Sequence, residues 1–554
     1  MEQPNSKTKL WLYFAGIAVI IIMMAATRWS LDHPFGTNWD ESEYINEVLI
    51  DAQRLEHGMI LKLGGRIMVK SYGRPPAYRP LALPFLLAFG LHPASARLMC
   101  VACFGLSAWL IFLATRRIDS DMAGAFAVLV FAVSPTVVAA SSWLSTEGPL
   151  YLATAAMLYY MFAGWTGHAE RTSNWIGLGL SVGLGFLAKA SFAAIALPAL
   201  AFWLVAGRRA NLEAPSLRTQ LKAGALALIV AAPWWILNLR FTIAYAQYAR
   251  DYSAHSLGPP TLATWAKWFN TVLQCLLGHG LSILLGLVAI AWFRRSILKK
   301  ESLLDPLQRL ALGVCGCAGL PIILAQLSGT NHLLRHISPA MIPLAIAVGV
   351  LADTTGWIGS PAGAVMSVIL LSGQLLVIVV PAIFPSKHVV VEKFVTGEVP
   401  WEALARRDQW DWRPLQSIAD RCGREAPTIS YLGLGPGLDP PYLEDPWVEK
   451  VTLTSRAIFD LPEVKWLWRY EEGPLDWQQV IISADQSDIV LAAPTYHGTT
   501  REDELDNQYN AEFADRLSRD SRFQGPIDLK VGRFQPIDVE VYLNKRLACQ
   551  PAPR

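Results

Sequence analysis

The sequence predicts a polytopic α-helical membrane protein of about eleven transmembrane helices, with interfacial helices in its first outer loop and a soluble α/β domain at its C-terminal end. Three observations predict it. Apolar runs close to the roughly 20 residues that cross a bilayer recur between residues 10 and 384. Basic residues gather in alternate short loops. After Pro385 the apolar runs shorten to strand length, and charged stretches separate them. Composition agrees: 53% hydrophobic and 17% charged residues over 554 positions, with a mean hydropathy of +0.31, is too apolar for a soluble multidomain chain. A net charge of +2, with no basic stripe carrying interleaved aromatics, argues against nucleic acid as a partner. The domains expected are a transmembrane module over 1–384, whose first extracytoplasmic loop is 27–93, and an extracytoplasmic α/β domain over 385–554.

The first run, Leu10 to Ala26, follows Lys7 and Lys9 and lacks a convincing small-residue cleavage pattern, so it reads as a retained span rather than a signal peptide. Then comes Asn38-Trp39-Asp40-Glu41-Ser42-Glu43-Tyr44, which reads as a helix start with Asn38 as N-cap and Glu41 completing a capping box. Helical spacing puts Asp40, Glu43, Tyr44, Glu47 and Asp51 on one face and Ile45, Val48, Leu49 and Ala52 on another, which predicts a helix in the interface, apolar side in lipid and acidic side toward a cavity. Further runs lie at 94–116, 121–141, 149–165, 175–189, 191–206, 223–239, 271–293, 309–328, 335–352 and 362–384. The apolar stretch 176–206 is too long for one straight helix and divides into two spans turning at Lys189. The basic loops at Arg116 and Arg117, from Arg208 to Lys222 and from Arg294 to Lys300 fall on the N-terminal side, so the N-terminus is expected in the cytoplasm. Asp40, Glu147, Lys189, the 240–270 loop, the Asn331-to-His336 loop and everything after about 385 then lie outside it. Beyond Pro385, strands are expected at Thr428-Ile-Ser-Tyr-Leu, Asp488-Ile-Val-Leu-Ala-Ala and Val539-Glu-Val-Tyr-Leu, with a helix near 501–520. Gly433-x-Gly435-x-Gly437 lacks the full dinucleotide fingerprint and reads as a structural loop. Five of the seven cysteines sit in apolar stretches with no zinc spacing, while Cys422 and Cys549 offer a disulfide if the C-terminal region meets an oxidising compartment.

Ionisable groups at membrane depth are costly, so each needs a partner or a task. Four sites converge on the predicted outer face: Asp40 with Glu41, Glu147 in a short turn, Lys189 between two spans, and Arg335 within Asn331-His332-Leu333-Leu334-Arg335-His336. Two carboxylate sites and two cations suggest a cavity that binds a phosphate and deprotonates something beside it. Each has a plainer reading: Lys189 and Arg335 as snorkelling cations, Glu147 as an acid in a helix first turn capped by Ser145 or Thr146, and His332 and His336 as supporting residues rather than metal ligands.

The order of these features resembles the GT-C superfamily of membrane glycosyltransferases, in the branch of the lipid A aminoarabinose transferase and the protein O-mannosyltransferases. The matching elements are Asp40-Glu41-x-x-Tyr44, Arg74-Pro75-Pro76-Ala77-Tyr78, Arg97, Ser145-Thr146-Glu147-x-Pro149, Lys189, Pro233-Trp234-Trp235 with Asn238, and Arg335 opening a Pro-containing span. They cover roughly residues 1–384, with His336 where a tyrosine is frequent and Glu147 where aspartate is common. The resemblance implies an inverting transfer from a polyprenyl-phosphate sugar to a hydroxyl of an envelope glycolipid, polysaccharide or protein on the outer face of the cytoplasmic membrane. In that scheme Asp40 is the base, Glu41 or Glu147 orients the acceptor or a metal, and Lys189 and Arg335 hold the leaving phosphate with help from Arg74 and Tyr78. Tyr44 and His332 support them. Some members use a divalent cation and others do not, and the carboxylates here leave both open. A transporter or flippase of lipid-linked sugars is the alternative, disfavoured because the charges gather on one face and no inverted pair of broken helices is visible. A non-catalytic scaffold is the weaker rival.

Overall fold

The computed structural model describes residues 6–32, 39–69, 74–209, 215–257, 261–298, 303–328, 334–383, 428–431, 454–457, 476–494, 501–531 and 537–546, together with Leu415 and Ile418. The chain divides into two compact units, one within residues 1–32 and 51–403, the other within 33–50 and 404–554.

The first unit is built of helices: α1 (Ser6–Asp32), α2 (Trp39–Glu56, whose first turns belong to the other unit), α3 (Ile60–Val69), α4 (Tyr78–Phe89), α5 (Pro93–Ile118), α6 (Asp121–Ala132), α7 (Pro135–Ala140), α8 (Glu147–Ala163), α9 (Thr172–Ala188), α10 (Phe192–Arg209), α11 (Leu217–Leu257), α12 (Leu262–Thr271), α13 (His279–Phe293), α14 (Pro306–Ser328), α15 (Met341–Thr354) and α16 (Pro361–Ile383). Among the described residues five helices are long and apolar enough to cross a membrane, or six if one bent pair is a single span, and shorter apolar helices accompany them. The chain is a multi-pass membrane protein. Cys100, Cys103 and Cys315 are buried and Cys275 and Cys317 half-buried, whereas Cys422, Cys549 and the Gly433–Gly437 loop lie outside the described residues.

Three elements differ from the sequence reading. The run 271–293 is bent by 98° between residues 262–277 and 279–296. Gly278 makes the corner with φ +75, and the Gln374 side-chain amide lies where its Cβ would stand, so a side chain there would strain the backbone and displace Gln374. The 223–239 span belongs to a 41-residue helix, α11, about 60 Å long, which carries helix through much of the predicted 240–270 loop. On α2, Tyr44, Glu47 and Asp51 are buried together with Ile45, Val48, Leu49 and Ala52, so the apolar side is covered by protein rather than left open to lipid.

Helix packing relies on small residues, as it must where lipid is as apolar as leucine. Gly179 and Gly183 of α9 meet α11, where a Cβ would come within 2.7 Å of the Ala223 carbonyl and the Val230 side chain. Cys100 of α5 bonds the Ser145 backbone, its thiol 3.4 Å from the Ser145 N–H and 3.6 Å from the carbonyl, which holds the turn before α8 against α5.

In the second unit β1 (Thr428–Tyr431), β2 (Thr454–Ala457), β3 (Ile489–Ala492), β4 (Phe523–Val531) and β5 (Ile537–Asn544) form a sheet of order β2-β1-β3-β5-β4. β2, β1 and β3 are parallel, and β5 pairs antiparallel with β3 and β4. Two helices, α17 (Trp477–Asp485) and α18 (Arg501–Arg519), supply Val480, Ala484, Phe513 and Leu517 to a core shared with Val490 and Tyr542 of the sheet. Asp476 caps α17, its carboxylate accepting from the Gln478 and Gln479 amides.

Candidate active site

The site is built on the α8/α9 hairpin. Glu147 is the first residue of α8 and 1% exposed. Thr146 occupies the N-cap position without a side-chain cap bond. Lys189 is the C-cap of α9, extended at φ −161 and ψ 141. The turn between α9 and α10 therefore falls at the lysine, as the sequence predicts. The hairpin brings both residues to one end, where Lys189 Nζ donates to Glu147 Oε1 at 2.6 Å and lies 3.1 Å from His336 Nδ1. For Lys189 to donate there, the His336 ring proton must sit on Nε2. Two of the three ammonium N–H bonds are thus engaged, and the lysine side chain is 20% exposed against 2% for Glu147.

The end of α9 explains why Lys189 stands where it does. The last carbonyls of a helix lack intrahelical partners. Here Gly185 accepts from the Lys189 amide at 3.1 Å, Phe186 from the Trp235 indole at 3.2 Å and Leu187 from the Ala77 amide at 2.8 Å. Pro75 and Pro76 carry no N–H, so Ala77 is the first amide after them able to do this. The bond holds Arg74-Pro75-Pro76-Ala77-Tyr78 beside the lysine, with Tyr78 1% exposed and Arg74 half-buried. Asn238, one turn beyond Trp234, donates to Met68 of α3 at 2.6 Å and so ties α11 to the first loop.

The Arg335 turn is fastened to α8 by a short chain of bonds. Ser338 Oγ donates to the Arg335 carbonyl at 2.8 Å, so Tyr151, one turn after Glu147, must donate to Ser338 across 2.5 Å. The Arg335 guanidinium lies over the Trp143 ring, 5.4 Å from its centroid, and its charge acts on the Glu147 carboxylate. One end of the hairpin thus carries a buried carboxylate, an ammonium and a guanidinium.

Deeper in the first loop, Arg79 grips Asp51 with two parallel bonds, Nε to Oδ2 at 2.6 Å and Nη2 to Oδ1 at 2.8 Å, both side chains fully buried. Arg66 adds a third contact at 3.4 Å. The later half of α2 is thereby pinned to α3 and α4. Arg97 is buried over Trp29, 5.1 Å from the ring.

Of the residues predicted for the site, the structure joins Glu147, Lys189 and Arg335 and ties the segment from Arg74 to Tyr78 to the end of α9 through the Ala77–Leu187 backbone bond. Glu41 and Tyr44 are buried on α2. Asp40 lies on the α2 backbone but its side chain is outside the described residues, as are Asn38 and His332. Sequence reasoning missed Trp143, Tyr151 and Ser338. Two signals pointed to them: Tyr151 shares a helix face with Glu147 four residues earlier, and Ser338 follows Arg335 by three. Among the described residues no group of three or more His, Cys, Asp or Glu side chains stands ready to hold a metal ion.

A multi-pass helical unit of this arrangement has counterparts among known proteins. The chain is similar over 97% of its length to the crystal structure of ArnT from Cupriavidus metallidurans bound to undecaprenyl phosphate, of which 99% is covered, with a TM-score of 0.58 at 15% identity. It is similar over 87% of its length to 69% of the Archaeoglobus fulgidus oligosaccharyltransferase, with a TM-score of 0.50 at 11% identity. Residues 74–237 match the family described as dolichyl-phosphate-mannose-protein mannosyltransferase. A curated relative, the undecaprenyl phosphate-alpha-4-amino-4-deoxy-L-arabinose arabinosyl transferase 1 of Sodalis glossinidius (strain morsitans), is 26% identical over 274 residues, 47% of this chain. That match spans 45% of the relative, under half its length.

Proposed function

We propose that this chain is an inverting glycosyltransferase of the cytoplasmic membrane, moving a sugar from a polyprenyl-phosphate donor to a hydroxyl of an envelope glycolipid, polysaccharide or protein on the outer face. The observation that carries the reading is Lys189: Glu147 and His336 engage two of its N–H bonds, and a third remains on a partly exposed ammonium beside Arg335. That is a site for a phosphate oxygen. The names of the similar proteins agree with it, one bound to undecaprenyl phosphate and another called an undecaprenyl phosphate-sugar transferase.

In the reaction the acceptor oxygen attacks the anomeric carbon, the bond from that carbon to the phosphate oxygen breaks, and the phosphate leaves with the bonding pair. One displacement inverts the configuration. Lys189 and Arg335 stabilise the charge that grows on the leaving phosphate, with Arg74 and Tyr78 behind them. The acceptor proton goes to Asp40, the base assigned by its motif, with Glu41, Tyr44 and His332 in supporting places. Glu147 holds the ammonium in position. The scheme requires no cofactor, and a divalent cation on the carboxylates is decided by whether transfer survives EDTA. With the basic loops in the cytoplasm, about eleven apolar helices span the membrane and residues 385–554 form an extracytoplasmic α/β domain that shapes acceptor access.

The test is transfer by purified protein of radiolabel from a polyprenyl-phosphate sugar to a membrane lipid extract. Wild type should transfer, while Asp40→Asn and Lys189→Ala should lose at least a hundredfold, on the usual scale for a general base or a charge-stabilising group. Label crossing vesicle leaflets without transfer, over several donors and extracts, would favour the transporter.

A further inference from the structure

A cavity of about 160 Å³ lies between α9, α10 and α11, at the far end of the hairpin from Glu147 and Lys189. Trp175 and Leu178 line it from α9, Trp203 and Leu204 from α10, and Ala223 and Ala227 from α11. Fourteen residues of α9 separate Trp175 from Lys189, about 20 Å of helix, so this is a different place from the candidate active site. A void of this size and lining accepts a benzene-sized apolar group, or a comparable length of hydrocarbon chain.

Its rim is basic. Lys222 reaches over the Trp175 ring, 5.6 Å from the centroid, so one indole both lines the cavity and carries the cation. Arg218 stands one helical turn earlier on α11 and shares a shallow groove with Lys222, Leu221 and Ala225. The carboxylate at this end is already committed. Glu170 accepts from the Ser216 amide at 2.6 Å and the Thr219 hydroxyl at 2.5 Å, capping the start of α11. Gln220 likewise turns its amide to the Pro215 carbonyl, at 2.7 Å. Among the described residues no salt bridge joins Arg218 or Lys222 to a carboxylate, and the Lys222 charge acts on Glu170 only at longer range.

We propose that this cavity is a binding site for an anionic glycerophospholipid, one acyl chain entering between Trp175, Trp203 and Ala227 while the phosphate meets Lys222 and Arg218. The charge of the rim selects the headgroup, and the dry lining takes the chain. An anionic glycerophospholipid is a bulk component of the leaflet that offers both parts at once, so mass action favours it over a scarce ligand. Occupancy would wedge α9 against α11 and so steady the helix that ends at Lys189.

The test uses the full chain in nanodiscs of phosphatidylcholine doped with a phosphatidylglycerol that carries a mid-chain diazirine. Two variants address the two parts of the site. Gly224 lines the cavity and an added Cβ there meets nothing within 4 Å, so Gly224→Phe fills the space from within. Lys222→Ala with Arg218→Ala removes the headgroup contacts. After irradiation the site predicts label on peptides covering 172–188 and 217–228, roughly tenfold above that from the matching phosphatidylcholine probe. Gly224→Phe should abolish this label, and the double alanine variant should erase the headgroup preference. Equal labelling by the two probes, or label unchanged in Gly224→Phe, would overturn the proposal. So would displacement of the label by equimolar undecaprenyl phosphate, which would mark the cavity as a prenyl-chain site instead.

Discussion

Breaking the Glu147–Lys189 pair from its two sides should give unequal results. Lys189→Ala leaves a carboxylate that is 2% exposed without its nearest cation, and stranding such a charge costs about 3–5 kcal/mol. Glu147→Gln leaves an ammonium that is 20% exposed and still 3.1 Å from His336, so water and the imidazole offset most of the loss and about 1–2 kcal/mol is expected. The double variant Glu147→Gln with Lys189→Ala holds neither charge. It should cost about 1–2 kcal/mol in all, less than Lys189→Ala alone, which makes the coupling about 3–5 kcal/mol. The assay is a double-mutant cycle of reversible unfolding in mixed micelles titrated with sodium dodecyl sulfate, at fixed ionic strength. Single effects that simply add, within about 0.5 kcal/mol, would show that the two groups do not meet and would refute the hairpin geometry of the site.

Two further outcomes follow from the same structure. Arg79→Lys keeps the charge but loses the two-bond grip on buried Asp51, and should cost about 2–3 kcal/mol in the same unfolding assay and lower transfer, whereas an exposed pair such as Arg519–Asp515 replaced in the same way should cost nothing measurable. The Ser216 amide and then the Thr219 hydroxyl hold the Glu170 carboxyl below the usual carboxylate range. Its folded value is lowered, so its cap on α11 is fully present above the ordinary carboxylate range and lost as the pH falls through the lower folded value. Hydrogen exchange at the Ser216 amide should therefore quicken on acidification relative to a reference amide, and Glu170→Gln should flatten that dependence. No difference between the two proteins would rule the cap out.

Much of the fold was legible because a bilayer imposes length on apolar runs, and Lys189 marked its own turn because a charge cannot stay in the middle of a span. The corner at Gly278 was hidden, since a single glycine in an apolar run is common in straight transmembrane helices and the Gln374 amide that fills the corner comes from far along the chain. The extension of α11 past Asn238 was hidden too. Tyr245, Arg250 and their neighbours end the apolar run without ending the helix, so periodicity beyond the membrane gives no boundary. At the site, Glu147, Lys189 and Arg335 each stood out as a costly charge, but which carboxylate meets which cation depends on a hairpin pairing positions 42 residues apart. Tyr151 and Ser338 carry no charge, so only their spacing from Glu147 and Arg335 marked them. The two tryptophans of Pro233-Trp234-Trp235 look like belt residues by composition, and only the bond from the Trp235 indole to the Phe186 carbonyl at the end of α9 shows the task of Trp235.

The central claim is that Lys189 and Arg335 hold the donor phosphate, and the most direct measurement is the dissociation constant of undecaprenyl phosphate for the purified protein. A charge-assisted bond contributes about 1.5–3 kcal/mol, so Lys189→Ala and Arg335→Ala should each weaken binding about 10- to 100-fold, while Asp40→Asn leaves it unchanged. Binding that is intact in both cation variants, with each still folded by its thermal transition, would contradict the account.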